Sequence, residues 1–346
     1  MVVCMHSIFL RAVDHHCQPT FEQRLRPCNH ASNRRSLLML RYLLGIIVAL
    51  LPFISAANPD TASSPYQIPD TQIFTFHSPQ NGDYKIMVYV PKTKPPAQGW
   101  PVMYILDGDT YFAQAASLLA QQSCARCALE PGVIVAIGYD GKSRRDRDYR
   151  PHVQKIAQEH NPQGGTYPTG AAGQSDLFFA FIEDELKPDI AQRFPIDKQR
   201  QGLFGHSYGG LFTIDMATKH PQSFTNWFAS SPSVWWNQRY LQQQAEQFLV
   251  NKRSMVSPSG IIRLSVGGDE QTLQPFEQKL PEEKQAILKQ HRAQRAMVDG
   301  VKTLNDTLKK IDGYSEKVSF QCYPHQSHIS VSSMALSDAL KIHFAR

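Results

Sequence analysis

Three residues in the second half of the chain have the types and the order that acyl transfer requires: Ser207, Glu270 and His328. A serine hydroxyl is a poor nucleophile near neutral pH. It needs a base within hydrogen-bond reach, and the base needs a partner that fixes its tautomer and orientation. Ser207 lies in Gly205-His206-Ser207-Tyr208-Gly209, a G-x-S-x-G pattern. Alone, that pattern also describes a glycine-rich turn with an ordinary serine. Its neighbours give it meaning. Leu203-Phe204 before it and Gly210-Leu211-Phe212-Thr213-Ile214 after it predict a strand, a sharp turn and a helix. Such an elbow lifts the hydroxyl clear of the sheet and aims the helix N-terminus at it.

The base and acid follow in the chain order of an α/β-hydrolase, serine then acid then histidine. His328 comes after the apolar segment Val318-Ser319-Phe320-Gln321-Cys322-Tyr323 and is the expected base. His325 is a second candidate that reads equally as a solvated loop residue, and His206 reads as a packing residue inside the elbow. Asp269 and Glu270 follow the segment Ile261–Val266. Glu270 is the preferred acid and Asp269 the alternative, each also readable as a plain loop carboxylate. An oxyanion needs two N–H donors. Tyr208 is expected to supply one, and Gly108 or Asp109, just past the segment Pro101–Leu106, the other. Asp107-Gly108-Asp109 reads otherwise as a simple tight turn.

These residues must be held by a scaffold. Tyr84–Val90 alternates and reads as a half-buried strand, whereas Pro101–Leu106 and Gly132–Gly138 are nearly continuous apolar runs, the mark of strands covered on both faces. Leu177–Leu186 reads as a helix closed by Lys187-Pro188. Met297, Val301, Leu304 and Leu308 recur at helical spacing, and Ser332–Phe344 reads as the last helix. Residues 58–72 read as a linker or edge segment, and 139–175 as a long, functional loop. The alternation predicts an α/β fold with a mostly parallel sheet flanked by helices and a site at the carboxyl ends of its strands.

The chain has 346 residues, 42% of them hydrophobic, and a net charge of +6. Residues 1–57 hold six basic and two acidic residues, so the charge of the remainder falls to about +2. No basic stripe points to nucleic acid as a partner. Arg41 followed by an apolar run over about 42–54 and then Ser55-Ala56-Ala57 reads as a signal peptide cleaved near Ala57. That predicts a periplasmic or secreted protein with no stable membrane span after cleavage, an uncleaved membrane anchor being the alternative. Met39 would start such a signal, making residues 1–38 a surplus extension of a chain otherwise begun at Met1. Residues 58–346 then form a single catalytic domain. Cys124-Ala125-Arg126-Cys127 has no second pair to complete a zinc site, so a local disulfide is expected in an exported chain. Cys322 is expected to lie buried in a strand.

Several segments together resemble one family. Val102–Gly108, Arg145-Asp146-Arg147-Asp148-Tyr149-Arg150-Pro151, Phe181–Pro188, Leu203–Phe212 and Ser231-Pro232-Ser233-Val234-Trp235-Trp236-Asn237 resemble the esterase family of α/β-hydrolases that includes enterobactin and salmochelin trilactone esterases. The family's G-x-x-E lands on Gly267–Glu270 and its closing His-x-S-V on His328–Val331, with Ile329 where glycine is common. The resemblance implies a serine esterase that opens ester or lactone bonds of a catecholate siderophore, or of its iron complex. It implies an acyl-enzyme and no metal or organic cofactor. Arg145, Tyr149, Trp235 and Trp236 are then the expected substrate contacts, since cations and aromatic faces suit anionic catechol rings. In the alternative reading the tryptophans are core and Arg145 forms a surface pair with Asp148. A general carboxylesterase, thioesterase or acyltransferase, or a non-catalytic binding protein, are the other functions this fold allows.

Overall fold

A computed structural model of the chain describes residues 64–163, 165–167, 173–250 and 256–346. The signal-peptide reading over 1–57 lies outside them. Eight strands form one sheet: β1 (Thr71–Ser78), β2 (Gly82–Tyr89), β3 (Trp100–Ile105), β4 (Val133–Gly138), β5 (Ile196–His206), β6 (Asn226–Ser230), β7 (Ile262–Gly267) and β8 (Val318–Tyr323). Their order is β1-β2-β4-β3-β5-β6-β7-β8. β1 and β2 pair antiparallel with each other, as do β2 and β4, and every other pair is parallel. All six positions of both β3 and β4 are buried, as their continuous apolar runs require.

Alternation along these strands splits the core in two. Val102 and Tyr104 of β3 face one side, packed with Leu211 and Phe212 of α5 (Tyr208–Lys219) and with Val301 and Leu304 of α8 (Met297–Leu308). Met103 and Ile105 face the other, where Phe112 and Leu119 of α1 (Gly108–Gln122) meet Leu336 and Leu340 of α9 (Val331–His343). The stripe Met297, Val301, Leu304 and Leu308 is wholly buried, as its spacing predicts. Each such side chain contributes about 1.5–3 kcal/mol by leaving water.

Four elements differ from the sequence expectations. Residues Thr71–Ser78, which begin inside the segment 58–72 read as a linker or edge segment, form the edge strand β1, whose pattern is only patchily buried and so gave little signal. The long loop contains a one-turn helix, α2 (Arg145–Asp148), and an antiparallel bridge between His160 and Thr166. The polar stretch before Met297 holds a separate helix, α7 (Glu282–Arg295), with no buried residue, so it lacks the apolar stripe that betrays a helix. The helix read over Leu177–Leu186 is composite: α3 (Ser175–Ala180), a π-helical turn over Phe181–Leu186, and α4 (Lys187–Arg193). Cys124 and Cys127 are joined by a disulfide just after α1. Cys322 is a free, half-buried thiol on β8.

Candidate active site

β5 runs directly into Ser207, which adopts φ 58° and ψ −115° before α5 begins at Tyr208. That backbone is costly for a residue with a Cβ, and the surroundings hold it there. The Ser207 N–H donates to Ser230 O at 2.9 Å, and its carbonyl accepts from Leu211 and Ser233. The glycines explain the pattern unevenly. A Cβ at Gly205 would lie 2.2 Å from the Gly209 carbonyl oxygen, and one at Gly210 would lie 2.9 Å from Ser230 O. Gly209 has no such crowding.

Ser207, His328 and Glu270 form one hydrogen-bonded chain. His328 Nε2 lies 3.2 Å from Ser207 Oγ, and His328 Nδ1 lies 2.7 Å from Glu270 Oε2. The Glu270 side chain is 1% exposed. Its second oxygen, Oε1, accepts from the Gly267 N–H at 2.7 Å and from the Ser231 hydroxyl at 2.5 Å. A buried carboxylate with both oxygens engaged by hydrogen bonds is held in one orientation. It therefore selects the His328 tautomer with the proton on Nδ1, leaving Nε2 to accept from Ser207.

The alternatives fall elsewhere. Asp269 lines a separate cleft with Gln271 and Thr272, its N–H bonded to Gln326 O. His325 is exposed in a turn at φ 57°. His206 is 6% exposed, bonds Ser230 Oγ through Nδ1 at 3.0 Å, and its ring lies 4.7 Å from that of His328. Burial, and then the neighbouring His328, push its pKa well down, so it stays neutral.

Tyr208 opens α5 and Gly108 opens α1, so the N–H groups of Tyr208, Gly108 and Asp109 all belong to first helical turns, which have no intrahelical acceptor. The turn before α1 is tightly held. Asp107 sits at φ 52°, and its N–H donates to the Tyr149 hydroxyl at 3.0 Å. Arg145 clamps its carboxylate with two bonds, Nε to Oδ1 at 3.0 Å and Nη2 to Oδ2 at 3.2 Å. Burial opposes the charge on Arg145, but Asp107 outweighs it, and the net shift of the guanidinium pKa is upward. The Asp109 carboxylate is tied to Lys85 and to the Tyr139 N–H.

Beside Ser207 lies a cleft of about 450 Å³, whose walls include Arg145, Tyr208, Trp235, Glu159, Tyr167 and Arg295. Trp235 is half-buried, with the Arg295 guanidinium 3.9 Å above its ring. Arg145 reaches the cleft as expected but pairs with Asp107, not Asp148. Asp148 is fully buried and takes hydrogen bonds from Tyr84, Tyr139 and Arg147.

Two of the expected substrate contacts are buried. Tyr149 is 0% exposed among Phe178 and Phe212 and does not line the cleft, so it supports the Asp107 turn from within. Trp236 is 1% exposed and packs edge-on against Tyr240, but it still lines the base of the cleft. Sequence reasoning missed Arg295, Glu159 and Tyr167. Arg295 ends a helix without an apolar stripe, and the other two lie in a loop, so no local pattern singled them out. Among the described residues, no cluster of three or more His, Cys, Asp or Glu is arranged to hold a metal ion, and no helix is long and apolar enough to cross a membrane.

With this geometry in place, comparison with known proteins is specific. Residues 78–309 match the family described as "Putative esterase". The ferri-bacillibactin esterase BesA of Bacillus subtilis is 30% identical over 286 residues, covering 81% of this chain and 91% of the relative. The siderophore enterobactin esterase of Emericella nidulans is 32% identical over 246 residues, covering 69% and 80%. Among solved structures, the siderophore hydrolase EstA from Aspergillus nidulans superposes with a TM-score of 0.72 at 28% identity, covering 81% of this chain and 97% of that one. The chain therefore belongs to the putative esterase family, as a serine hydrolase of carboxylic esters on an α/β-hydrolase fold.

Proposed function

We propose that this protein is an exported esterase that opens the ester or lactone bonds of a siderophore of the catecholate trilactone type, free or as its iron complex. The observation that carries the mechanism is the continuous hydrogen-bonded chain from Ser207 through His328 to Glu270. Ser207 Oγ attacks the ester carbonyl carbon while His328 Nε2 takes its proton. Glu270 stabilises the resulting imidazolium and holds its orientation. The tetrahedral oxyanion is received by the Tyr208 N–H and by an N–H of Gly108 or Asp109. Collapse breaks the ester C–O bond, and His328 returns the proton to the leaving alkoxide. Water then attacks the acyl-enzyme by the same route and releases the acid, restoring Ser207.

The cleft supports the substrate class. Three arginines (Arg145, Arg150 and Arg295) against two carboxylates (Asp146 and Glu159) leave its lining net positive, although Arg145 is held by Asp107, and Trp235 and Tyr167 offer aromatic groups beside the nucleophile. Planar, anionic catecholate groups complement such walls. The names of the relatives point to the same chemistry. Export rests on the segment 42–57, with cleavage near Ala57.

The test is hydrolysis of purified enterobactin and its ferric complex, followed by chromatography of the linear products. Ser207→Ala should abolish product formation. Turnover of simple aryl esters with none of the trilactone would replace the siderophore reading by a general carboxylesterase. Mass spectrometry of the mature N-terminus checks the export reading, and a chain still beginning before residue 42 would refute cleavage.

A further inference from the structure

The turn between β6 and α6 (Trp236–Val250) carries Ser231, the side-chain donor to Glu270 Oε1. Ser231 is 0% exposed and holds φ 41°, a left-handed value uncommon outside glycine. Its N–H donates to Ser265 O at 2.7 Å, which ties the turn to β7. Its hydroxyl donates to Glu270 Oε1 at 2.5 Å, on the side of the carboxylate away from His328. A strained backbone that is buried and bonded at both ends keeps its conformation only because the surroundings enforce it. The strain here delivers one hydroxyl proton to one carboxylate oxygen.

We propose that Ser231 is a positioning residue for the esterase reaction, donating to Glu270 so that the carboxylate stays directed at His328. This rests on the Ser207–His328–Glu270 reading above. Glu270 Oε1 has one other donor, the Gly267 N–H, which comes from the same short segment and cannot by itself fix rotation of the carboxylate. Ser231 comes from a different segment, just past β6, and supplies the second fixed point. The other titratable groups facing the pair are few. His206 lies beyond His328 on β5 and is held neutral, Asp269 is adjacent but lines a separate cleft, and the Cys322 thiol on β8 is pushed up by burial and then by Glu270. The acidic limb of the rate profile is therefore the readout for this pair. Removing a donor concentrates negative charge on Glu270. Proton uptake by the pair then becomes easier, whichever member carries the proton, so the limb moves to higher pH.

The experiment follows hydrolysis of p-nitrophenyl acetate and labelling of Ser207 by a fluorophosphonate between pH 5 and 9, neither of which needs a siderophore. Ser231→Ala should lower kcat by roughly 10- to 100-fold at neutral pH, the loss expected for a hydrogen bond to a charged group. The acidic limb should rise by about one pH unit. Ser231→Gly suits φ 41° better than serine does and guards against misfolding of the alanine variant; it should show the same loss and the same shift. In a Glu270→Gln background, with no carboxylate to hold, Ser231→Ala should cost little further rate. An unmoved limb in both single variants, or an equal loss in the background that lacks the carboxylate, overturns the proposal. A glycine variant with unchanged kcat overturns it as well, since the role would then be backbone strain alone. Absence of fluorophosphonate labelling in the unsubstituted protein would instead sink the Ser207 mechanism, and this proposal with it.

Discussion

Glu270→Gln is the most informative single substitution because the structure dictates which way the new amide must face. Oε1 of Glu270 is the acceptor for the Gly267 N–H at 2.7 Å and the Ser231 hydroxyl at 2.5 Å. An amide nitrogen there would oppose the fixed Gly267 donor and leave it unsatisfied in a buried site, which costs about 1–3 kcal/mol. The glutamine oxygen therefore keeps the Oε1 place, and its NH2 takes the Oε2 place, 2.7 Å from His328 Nδ1. An N–H at that distance requires His328 to accept at Nδ1 and so to carry its proton on Nε2. The imidazole then presents a donor to Ser207 instead of a base. The equivalent carboxylate-to-amide exchange in a serine protease lowers kcat roughly 10,000-fold, which corresponds to about 5.5 kcal/mol of barrier. The side chain is nearly isosteric and loses a buried charge, so folding is preserved. Steady-state hydrolysis of p-nitrophenyl acetate, with circular dichroism as the fold control, measures the effect. Activity within about 10-fold of the parent would refute the tautomer argument and leave Ser207 and His328 as a self-sufficient pair.

Other outcomes follow from the same structure. Tyr149→Phe removes the acceptor for the Asp107 N–H and should destabilise the fold by about 1–3 kcal/mol in urea, with kcat falling more than KM rises. A selective rise in KM would restore Tyr149 as a substrate contact. Trp235→Ala should raise KM for an aromatic trilactone roughly 5- to 30-fold while leaving p-nitrophenyl acetate turnover nearly unchanged, because a stacked ring contributes about 1–2 kcal/mol. Equal effects on both substrates would count against a binding role. His343 gives a pH signature. Burial pushes its pKa down to about 3. Its neutral ring is held between Val102 O at 3.0 Å and the Asn226 amide at 3.1 Å. The unfolded chain binds a proton at about 6.5 while the folded one resists it. This contribution to stability is therefore full above about pH 6.5 and is lost progressively as pH falls toward 3. Between pH 7 and 5 the loss should be about 2 kcal/mol, measured as a fall in the urea midpoint. His343→Gln should remove that dependence, and an unchanged pH slope would show that other groups carry it.

The architecture and the reacting residues were legible because each leaves a local trace. Buried parallel strands read as apolar runs in Pro101–Leu106 and Gly132–Gly138, an elbow needs glycine where backbones touch at Gly205 and Gly210, and the fold delivers serine, acid and histidine in a set order. Chain order and the family pattern prefer Glu270 over Asp269, and at the end of β7 it is Glu270 that bonds His328. What stayed hidden depends on neighbours distant in sequence. Whether Tyr149, Trp235 and Trp236 face solvent or core is settled by the layers packed around them, and two of the three are core. Arg145 reads from sequence as a substrate contact or a partner of Asp148, and the fold instead pairs it with Asp107, 38 residues away. Arg295 lies in no motif, and Ser231 opens a family-like segment that says nothing of its role. One gains its place from the ring it covers, the other from a carboxylate 39 residues further along. Residue type and order thus determined the class of chemistry. The tertiary structure alone decided which side chains align the acid, hold the turn beside α1 and line the cleft, because those roles arise from contacts between segments that local periodicity does not encode.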